Sequence, residues 1–131
     1  MEVLKQIKHC PVEVTLQKIG RKWTLEIIRD MFQGETRFSG FLKSNPKLST
    51  KILSLRLKEL EEIGLIEKTI KRKTPLLIEY HLTEKGRALG AVVRALAIFS
   101  IKHNPEEVFE EIPDSFEETI SQAKRWFPVE S

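Results

Sequence analysis

The 131-residue sequence contains a single cysteine, so no disulfide can form within the chain. It has no apolar run approaching the ~18–20 residues that a membrane-spanning helix needs, since its most apolar segment, residues 88–101, contains Arg94. The N-terminal segment lacks the long apolar core of a signal peptide. These absences exclude a disulfide-stabilised scaffold, and they predict a cytoplasmic protein with no membrane partner.

The sequence also lacks the motifs that are typical of enzyme active sites. It has no glycine-rich phosphate-binding loop, no GxSxG nucleophile turn and no paired-carboxylate motif. Its three histidines and single cysteine lack the short, regular spacings of a metal site. We therefore expect no enzymatic activity, no catalytic residues, no bound metal ion and no cofactor.

The charged residues are unevenly distributed along the chain. Residues 1–103 hold twenty basic and eleven acidic side chains, whereas residues 104–131 hold eight acidic and two basic ones. This predicts a basic domain over residues 1–103 and an acidic helical extension over residues 104–131. A basic body is typical of proteins that bind a polyanion, but a solvated basic surface without a ligand explains the charge equally well.

Hydrophobic periodicity and helix-capping residues predict a mainly α-helical chain with one small β-hairpin. The predicted helices cover residues 12–19, 23–32, 38–43, 50–63, 84–102 and 115–126. The two predicted strands, residues 65–70 and 76–82, flank a basic turn at residues 71–75. In the last helix, Ser115 and Glu118 have the spacing of a capping box.

The helix that follows Ser49 has the clearest amphipathic pattern. Ser49 is a natural N-cap and Gly64 a natural C-terminal stop. One apolar arc contains Ile52, Leu53, Leu57, Leu60 and Ile63. The opposite face carries Thr50, Lys51, Ser54, Lys58 and Glu61. Arg56 could contact a DNA base, but by helical phase it falls on the apolar side, so we expect a partly buried ion pair with an acid of a neighbouring helix.

Short helices, a hairpin with a basic tip and a long amphipathic helix are the elements of a winged helix-turn-helix. In that fold the second helix of the motif enters the major groove, where hydroxyls and lysines near its start reach base edges and phosphates. Cations of the wing neutralise phosphate charge. The predicted DNA-binding residues are Lys47, Ser49, Thr50, Lys51, Ser54, Lys58, Lys71, Arg72 and Lys73.

Residues 10–103 resemble the HxlR-type winged-helix transcriptional regulators, which are relatives of the MarR regulators. The resemblance rests on Cys10-Pro11, Lys22-Trp23, Arg37-Phe38, the Leu57–Leu60 helix ending in Gly64-Leu65, and Tyr80 before Leu82-Thr83. It implies a homodimer on double-stranded DNA, with dimerisation through the N-terminal segment and the C-terminal helices. Arg21 and Phe99 depart from the pattern, standing where the family usually has a glycine and where a tryptophan is expected.

Cys10 is a candidate redox sensor. It directly precedes Pro11 and is therefore predicted to lie at a helix N-terminus, near basic residues that favour a reactive thiolate. Some proteins similar to this chain use the cysteine at this position to sense oxidants or electrophiles. The alternative is a half-buried cysteine that packs and does not react.

These features predict a sequence-specific transcriptional regulator that acts as a homodimer on an inverted-repeat operator. The alternative is a winged-helix protein–protein interaction module without specific DNA binding, whose basic face binds an acidic partner. The sequence identifies neither a small-molecule effector nor the direction of regulation.

Overall fold

The computed structural model describes residues 6–129, which form eight helices and one antiparallel pair of strands. The helices are α1 (Pro11–Ile19), α2 (Thr24–Phe32), α3 (Phe38–Ser44), α4 (Thr50–Glu62), α5 (Glu84–Arg87), α6 (Gly90–His103), α7 (Pro105–Val108) and α8 (Glu117–Trp126). The strands β1 (Ile66–Lys73) and β2 (Leu76–Leu82) form a hairpin between α4 and α5. The predicted mainly helical fold with a small hairpin wing is confirmed.

The core lies between α2, α3 and α4. Its five largest fully buried side chains are Phe41, Ile27, Ile28, Leu53 and Leu60. The apolar arc predicted for α4 is confirmed, because its central leucines are buried and its two flanking isoleucines pack against the same core. The hairpin and α6 close the core, so the apolar face of α4 packs on a rigid scaffold and its opposite face stays exposed.

Both ends of α4 follow the predicted capping chemistry. The Ser49 hydroxyl oxygen accepts a hydrogen bond from the Ile52 N–H at 3.1 Å. Gly64 follows the helix with a φ of +80°, a conformation that disfavours residues with a Cβ atom. The sequence therefore places the start and the end of this helix correctly.

The predicted basic turn at residues 71–75 is wrong. Strand β1 continues to Lys73, so Thr74 and Pro75 alone separate the strands. Arg72 and Lys73 pair with residues of β2, whereas a register shift falls between Ile70 and Arg72. Residues 71–73 are exposed, so their charged side chains stay hydrated while the backbone pairs. The hairpin is therefore longer than its charge pattern indicates.

The predicted continuous helix over residues 84–102 is also wrong, because the chain forms α5 and α6 with a break at residues 88–89. Glycines stand on both sides of the break. Gly86 lies against the backbone carbonyl of Leu65, and Gly90 lies against the backbone carbonyl of Pro128. Neither position has room for a Cβ atom, and glycine is also a weak helix former.

The C-terminal extension packs against the domain through α8. Phe127 is buried, and its ring meets that of Phe32 edge to face at 5.8 Å. Arg94 of α6 donates to the backbone carbonyls of Phe127 at 2.9 Å and Lys124 at 3.0 Å. These bonds satisfy carbonyls at the end of α8 that have no partner within the helix.

Two details of this extension differ from the predicted ones. The short helix α7 is not indicated by the sequence pattern, and α8 begins at Glu117 rather than at Ser115. The Ser115 hydroxyl oxygen accepts from the Glu117 N–H at 3.2 Å. The predicted capping box with Glu118 does not form, because Phe116 is the N-cap residue.

Candidate nucleic-acid interface

The outer face of α4 carries the predicted groove-facing side chains. Thr50, Lys51, Ser54 and Lys58 are all exposed, and Leu55 beside them is 44% exposed. The predicted contacts Lys47 and Ser49 are exposed in the turn that precedes the helix. Ser49 uses a hydroxyl lone pair for the cap, which leaves its O–H proton able to donate to a phosphate.

The wing carries the second group of predicted contacts. Lys71, Arg72 and Lys73 are exposed at the end of β1, and α4 packs directly against this strand. The Arg72 Nε donates to the Pro75 carbonyl at 3.3 Å, which holds that guanidinium beside the two-residue turn. The predicted DNA-binding residues therefore lie on α4, in the turn before it and at the end of β1, with their charges toward solvent.

Arg56 fixes α4 to the turn between α1 and α2. Its Nε donates to the Lys22 carbonyl at 2.9 Å, and its Nη1 lies 2.7 Å from the Glu59 carboxylate. Arg21 approaches the other oxygen of Glu59 at 3.4 Å. The predicted ion pair with an acid of a neighbouring helix is wrong, because Glu59 is one turn further along α4.

A buried polar network that the sequence patterns did not indicate joins α2 to the turn before α4. Asp30 is 4% exposed and accepts hydrogen bonds from Arg29 Nη2 and Asn45 Nδ2, both at 2.8 Å. The Asn45 amide also donates to the Phe41 carbonyl and accepts from Arg29. The sequence signal was the Asn45-Pro46 pair, which indicates a turn but not the buried partner.

The wing is also tied to the start of α3. The Tyr80 N–H donates to the Thr36 carbonyl at 2.9 Å, and Arg37 Nε lies 3.9 Å from the Glu79 carboxylate. A hydrogen bond with His81 at 2.9 Å lowers the pKa of Glu79 below its ordinary value. Burial raises the pKa of the Tyr80 hydroxyl. The hairpin is thus positioned by backbone and side-chain contacts with the helix-turn-helix.

Cys10 is the N-cap residue of α1, as predicted from its position before Pro11. Its thiol is exposed, so the half-buried alternative is wrong for the single chain. Residues 6–129 contain no cluster of three or more His, Cys, Asp or Glu side chains able to hold a metal ion. Within the same range, no helix has the length and apolarity to cross a membrane.

Comparison with known proteins identifies the family to which this helix-turn-helix and wing belong. Residues 18–108 match the HxlR-like helix-turn-helix family. The chain belongs to that family. The resemblance noted from the sequence is therefore confirmed, since the chain carries an HxlR-like helix-turn-helix.

Curated relatives support the HxlR assignment. The HTH-type transcriptional regulator YdeP of Bacillus subtilis is 42% identical over 84 residues, which cover 64% of this chain and 66% of YdeP. The regulator YodB of the same organism is 38% identical over 88 residues, covering 66% of this chain and 79% of YodB. This chain thus matches slightly less than two thirds of YdeP.

Solved structures share the winged-helix fold. The redox regulator HypR in its reduced form superposes with a TM-score of 0.70 at 33% identity, covering 76% of this chain and all of HypR (100%). Reduced YodB from B. subtilis gives 0.63 at 34% identity, covering 72% of this chain and 94% of that one. A MarR-family regulator from Enterococcus faecalis, at 23% identity and a TM-score of 0.66, covers 79% of this chain and 97% of that one and shares the fold.

Proposed function

We propose that this HxlR-type regulator binds double-stranded DNA as a homodimer and recognises an inverted-repeat operator. The observation that carries the proposal is the exposed face of α4, which presents Thr50, Lys51 and Ser54 beside a basic wing. Short hydroxyls and a lysine at the start of a recognition helix have the size and hydrogen-bonding capacity to contact base edges. In this proposal, Lys47, Ser49 and Lys58 contact phosphates around the groove.

The wing adds affinity that does not depend on base sequence. Lys71, Arg72 and Lys73 are exposed at its tip and have the charge and reach to contact the phosphate backbone. The hydrogen bond to the Pro75 carbonyl already restricts the Arg72 side chain, so less side-chain conformational entropy is lost when this residue contacts DNA. Removal of these charges should weaken binding to all sequences by a similar factor.

Exposed apolar side chains on α1 and α6, which are not among the proposed DNA-binding elements, support the homodimer. Val12 and Leu16 of α1 are 65% and 56% exposed, and Leu96 and Phe99 of α6 are 51% and 61% exposed. Groups of exposed apolar side chains are common at association surfaces. A second copy that covers them would give the two-fold symmetry an inverted repeat requires. We assign binding and dimerisation to residues 1–103, with residues 104–131 as an extension.

Two variants should separate sequence recognition from phosphate binding. After the operator is selected from fragmented genomic DNA at ~150 mM salt, the Lys51→Ala/Ser54→Ala double variant should lose about tenfold or more of its preference for it. The Arg72→Gln/Lys73→Gln double variant should keep that preference. Its affinity should fall for every sequence, and its salt slope should decrease by about two.

The matched control is Glu61→Gln, an exposed change at the far end of α4. It should leave operator preference unchanged. Fluorescence anisotropy over a salt series measures the affinity of the wild-type protein and of the three variants. Equal retention of all genomic fragments would contradict the proposal. It would favour the interaction module without specific DNA binding.

We further propose that Cys10 makes the regulator redox-responsive. Its thiol is exposed at the N-cap of α1, a helix that also carries the exposed apolar side chains assigned to the dimer. Two Cys10 thiols from two protomers would give two electrons and two protons to diamide and form one interchain disulfide. Diamide becomes the corresponding hydrazine. HypR, a relative of known structure, is itself named a redox regulator.

Diamide should change the operator affinity of the wild-type protein by about fivefold or more, because an interchain disulfide fixes the position and orientation of one DNA-binding domain relative to the other. The Cys10→Ser variant should bind the operator as the reduced protein does and should not respond to diamide. Non-reducing electrophoresis checks for the disulfide, and anisotropy measures the affinity. An equal diamide response in Cys10→Ser would disprove a role for this thiol.

A further inference from the structure

Leu55 is an exposed apolar side chain on the otherwise polar outer face of α4. It is 44% exposed, and it belongs neither to the buried core nor to the partly buried side chains that pack on the core. Helices α2, α3 and α4 lie wholly within the described residues, and no other large apolar side chain on them is exposed. Core packing therefore does not account for a leucine at this position.

The neighbours of Leu55 indicate what kind of partner it meets. A single exposed leucine is common on protein surfaces, so its surroundings decide. Lys51 lies one turn before it and Lys58 one turn after it, and both lysines are exposed. The apolar side chains of α1 and α6 form groups suited to a protein surface, whereas Leu55 stands alone between cations. This setting fits a polyanionic partner that presents one isolated apolar group.

The major groove of DNA presents such a group. Phosphates line its edges, and the base edges on its floor carry hydrogen-bond donors and acceptors. The exception is the methyl group on C5 of thymine, which cytosine lacks. A leucine that contacts this methyl group removes apolar surface of both partners from water, while the lysines beside it remain free to meet phosphates or guanine.

The second turn of α4 is held firmly enough for such a contact. Arg56, the next residue, donates from Nε to the Lys22 carbonyl at 2.9 Å, and its Nη1 lies 2.7 Å from the Glu59 carboxylate. Apolar contacts weaken steeply with distance, so they discriminate between bases only when the backbone is fixed. Helical side chains lean toward the N-terminus, so Leu55 extends toward the turn that carries Lys51.

We propose that Leu55 contacts a thymine methyl group in each half of the operator and thereby selects thymine at that position. This proposal rests on the proposed DNA-binding function and adds a specificity-determining residue to it. Lys51 and Leu55 are four residues apart, which is about 6 Å along a helix axis. Base pairs are spaced by about 3.4 Å, so the thymine should lie within about two base pairs of the base nearest Lys51.

Deoxyuridine tests this contact because it removes the methyl group of thymine and leaves its hydrogen-bonding groups in place. Each thymine of the selected operator is replaced in turn, together with its symmetry mate, and anisotropy measures the affinity. Burial of one methyl group is worth about fourfold, so loss of a symmetric pair should weaken wild-type binding about tenfold. Leu55→Ala should bind the thymine and uracil operators within about twofold of each other, whereas Leu55→Met should keep the wild-type difference.

Sedimentation velocity controls for the oligomeric state, and Leu55→Ala should sediment as the wild-type protein does. The proposal is overturned if the wild-type protein is indifferent to every uracil replacement or if Leu55→Ala keeps the full methyl effect. Loss of that effect in Leu55→Met as well, or a monomeric Leu55→Ala, would also overturn it. A selection that enriches no operator contradicts the proposed function itself, whereas an operator without a methyl effect contradicts this inference alone.

Discussion

Replacing Asp30 by alanine is expected to lower the free energy of unfolding by about 3 kcal/mol. The Asp30 side chain is almost fully buried and accepts hydrogen bonds from both Arg29 and Asn45. Without it, the buried Asn45 amide loses an acceptor and Arg29 loses its counterion. Arg29 is 38% exposed and remains partly hydrated, which places the loss at the lower end of the range for a broken buried pair.

Urea unfolding followed by circular dichroism measures this loss. Glu61→Ala, which removes a carboxylate from the exposed face of α4, should change the free energy of unfolding by no more than about 0.5 kcal/mol. Asn45→Ala should destabilise the protein as well, and the double variant should lose less than the sum of the two single losses. Additive losses, or a loss below about 1 kcal/mol for Asp30→Ala, would show that the network is not a cooperative unit.

Helix α4 was predictable because its signals are local. Its apolar arc repeats with helical period, and Ser49 and Gly64 mark its two ends. The Asp30 network was not predictable, because Asn45 is fifteen residues from Asp30 in the sequence. An asparagine before a proline indicates a turn, and turns are usually exposed, so the pattern gave no sign that Asn45 is buried. Arg56 illustrates the same difficulty, since helical phase indicated burial but could not choose between Glu59 and a carboxylate on another helix.

The wing and the extension show where composition misleads. Three consecutive basic residues suggested a loop. Strand pairing uses only the backbone N–H and C=O groups, however, so residues 71–73 extend the strand while their charged side chains remain in water. The acidic charge of residues 104–131 predicted an acidic helical extension, and its carboxylates within residues 106–118 are exposed. What charge counting could not reveal is the burial of Phe127 and the hydrogen bond that its carbonyl accepts from Arg94, thirty-three residues earlier.

Replacing Phe99 by glutamate is expected to dissociate the proposed homodimer and to raise its dissociation constant by about a hundredfold or more. In this structure the Phe99 ring is 61% exposed and contacts His103 on the same helix, with ring centroids 5.0 Å apart. In a two-fold interface each substitution occurs twice, so two rings are lost and two carboxylates are forced toward one another. A monomer contacts one half-site alone, so operator affinity should fall with the loss of the dimer.

Sedimentation velocity across a concentration series measures the dimer, and anisotropy with the selected operator measures its consequence. Ile112→Glu is the matched control, because Ile112 is 53% exposed and lies in the extension rather than on α1 or α6. It should sediment and bind as the wild-type protein does. Phe99 is not among the buried core side chains, so the Phe99→Glu monomer should keep its helical circular dichroism. A Phe99→Glu protein that sediments as a dimer would place the interface elsewhere, since a buried pair of carboxylates on α6 is too costly to retain.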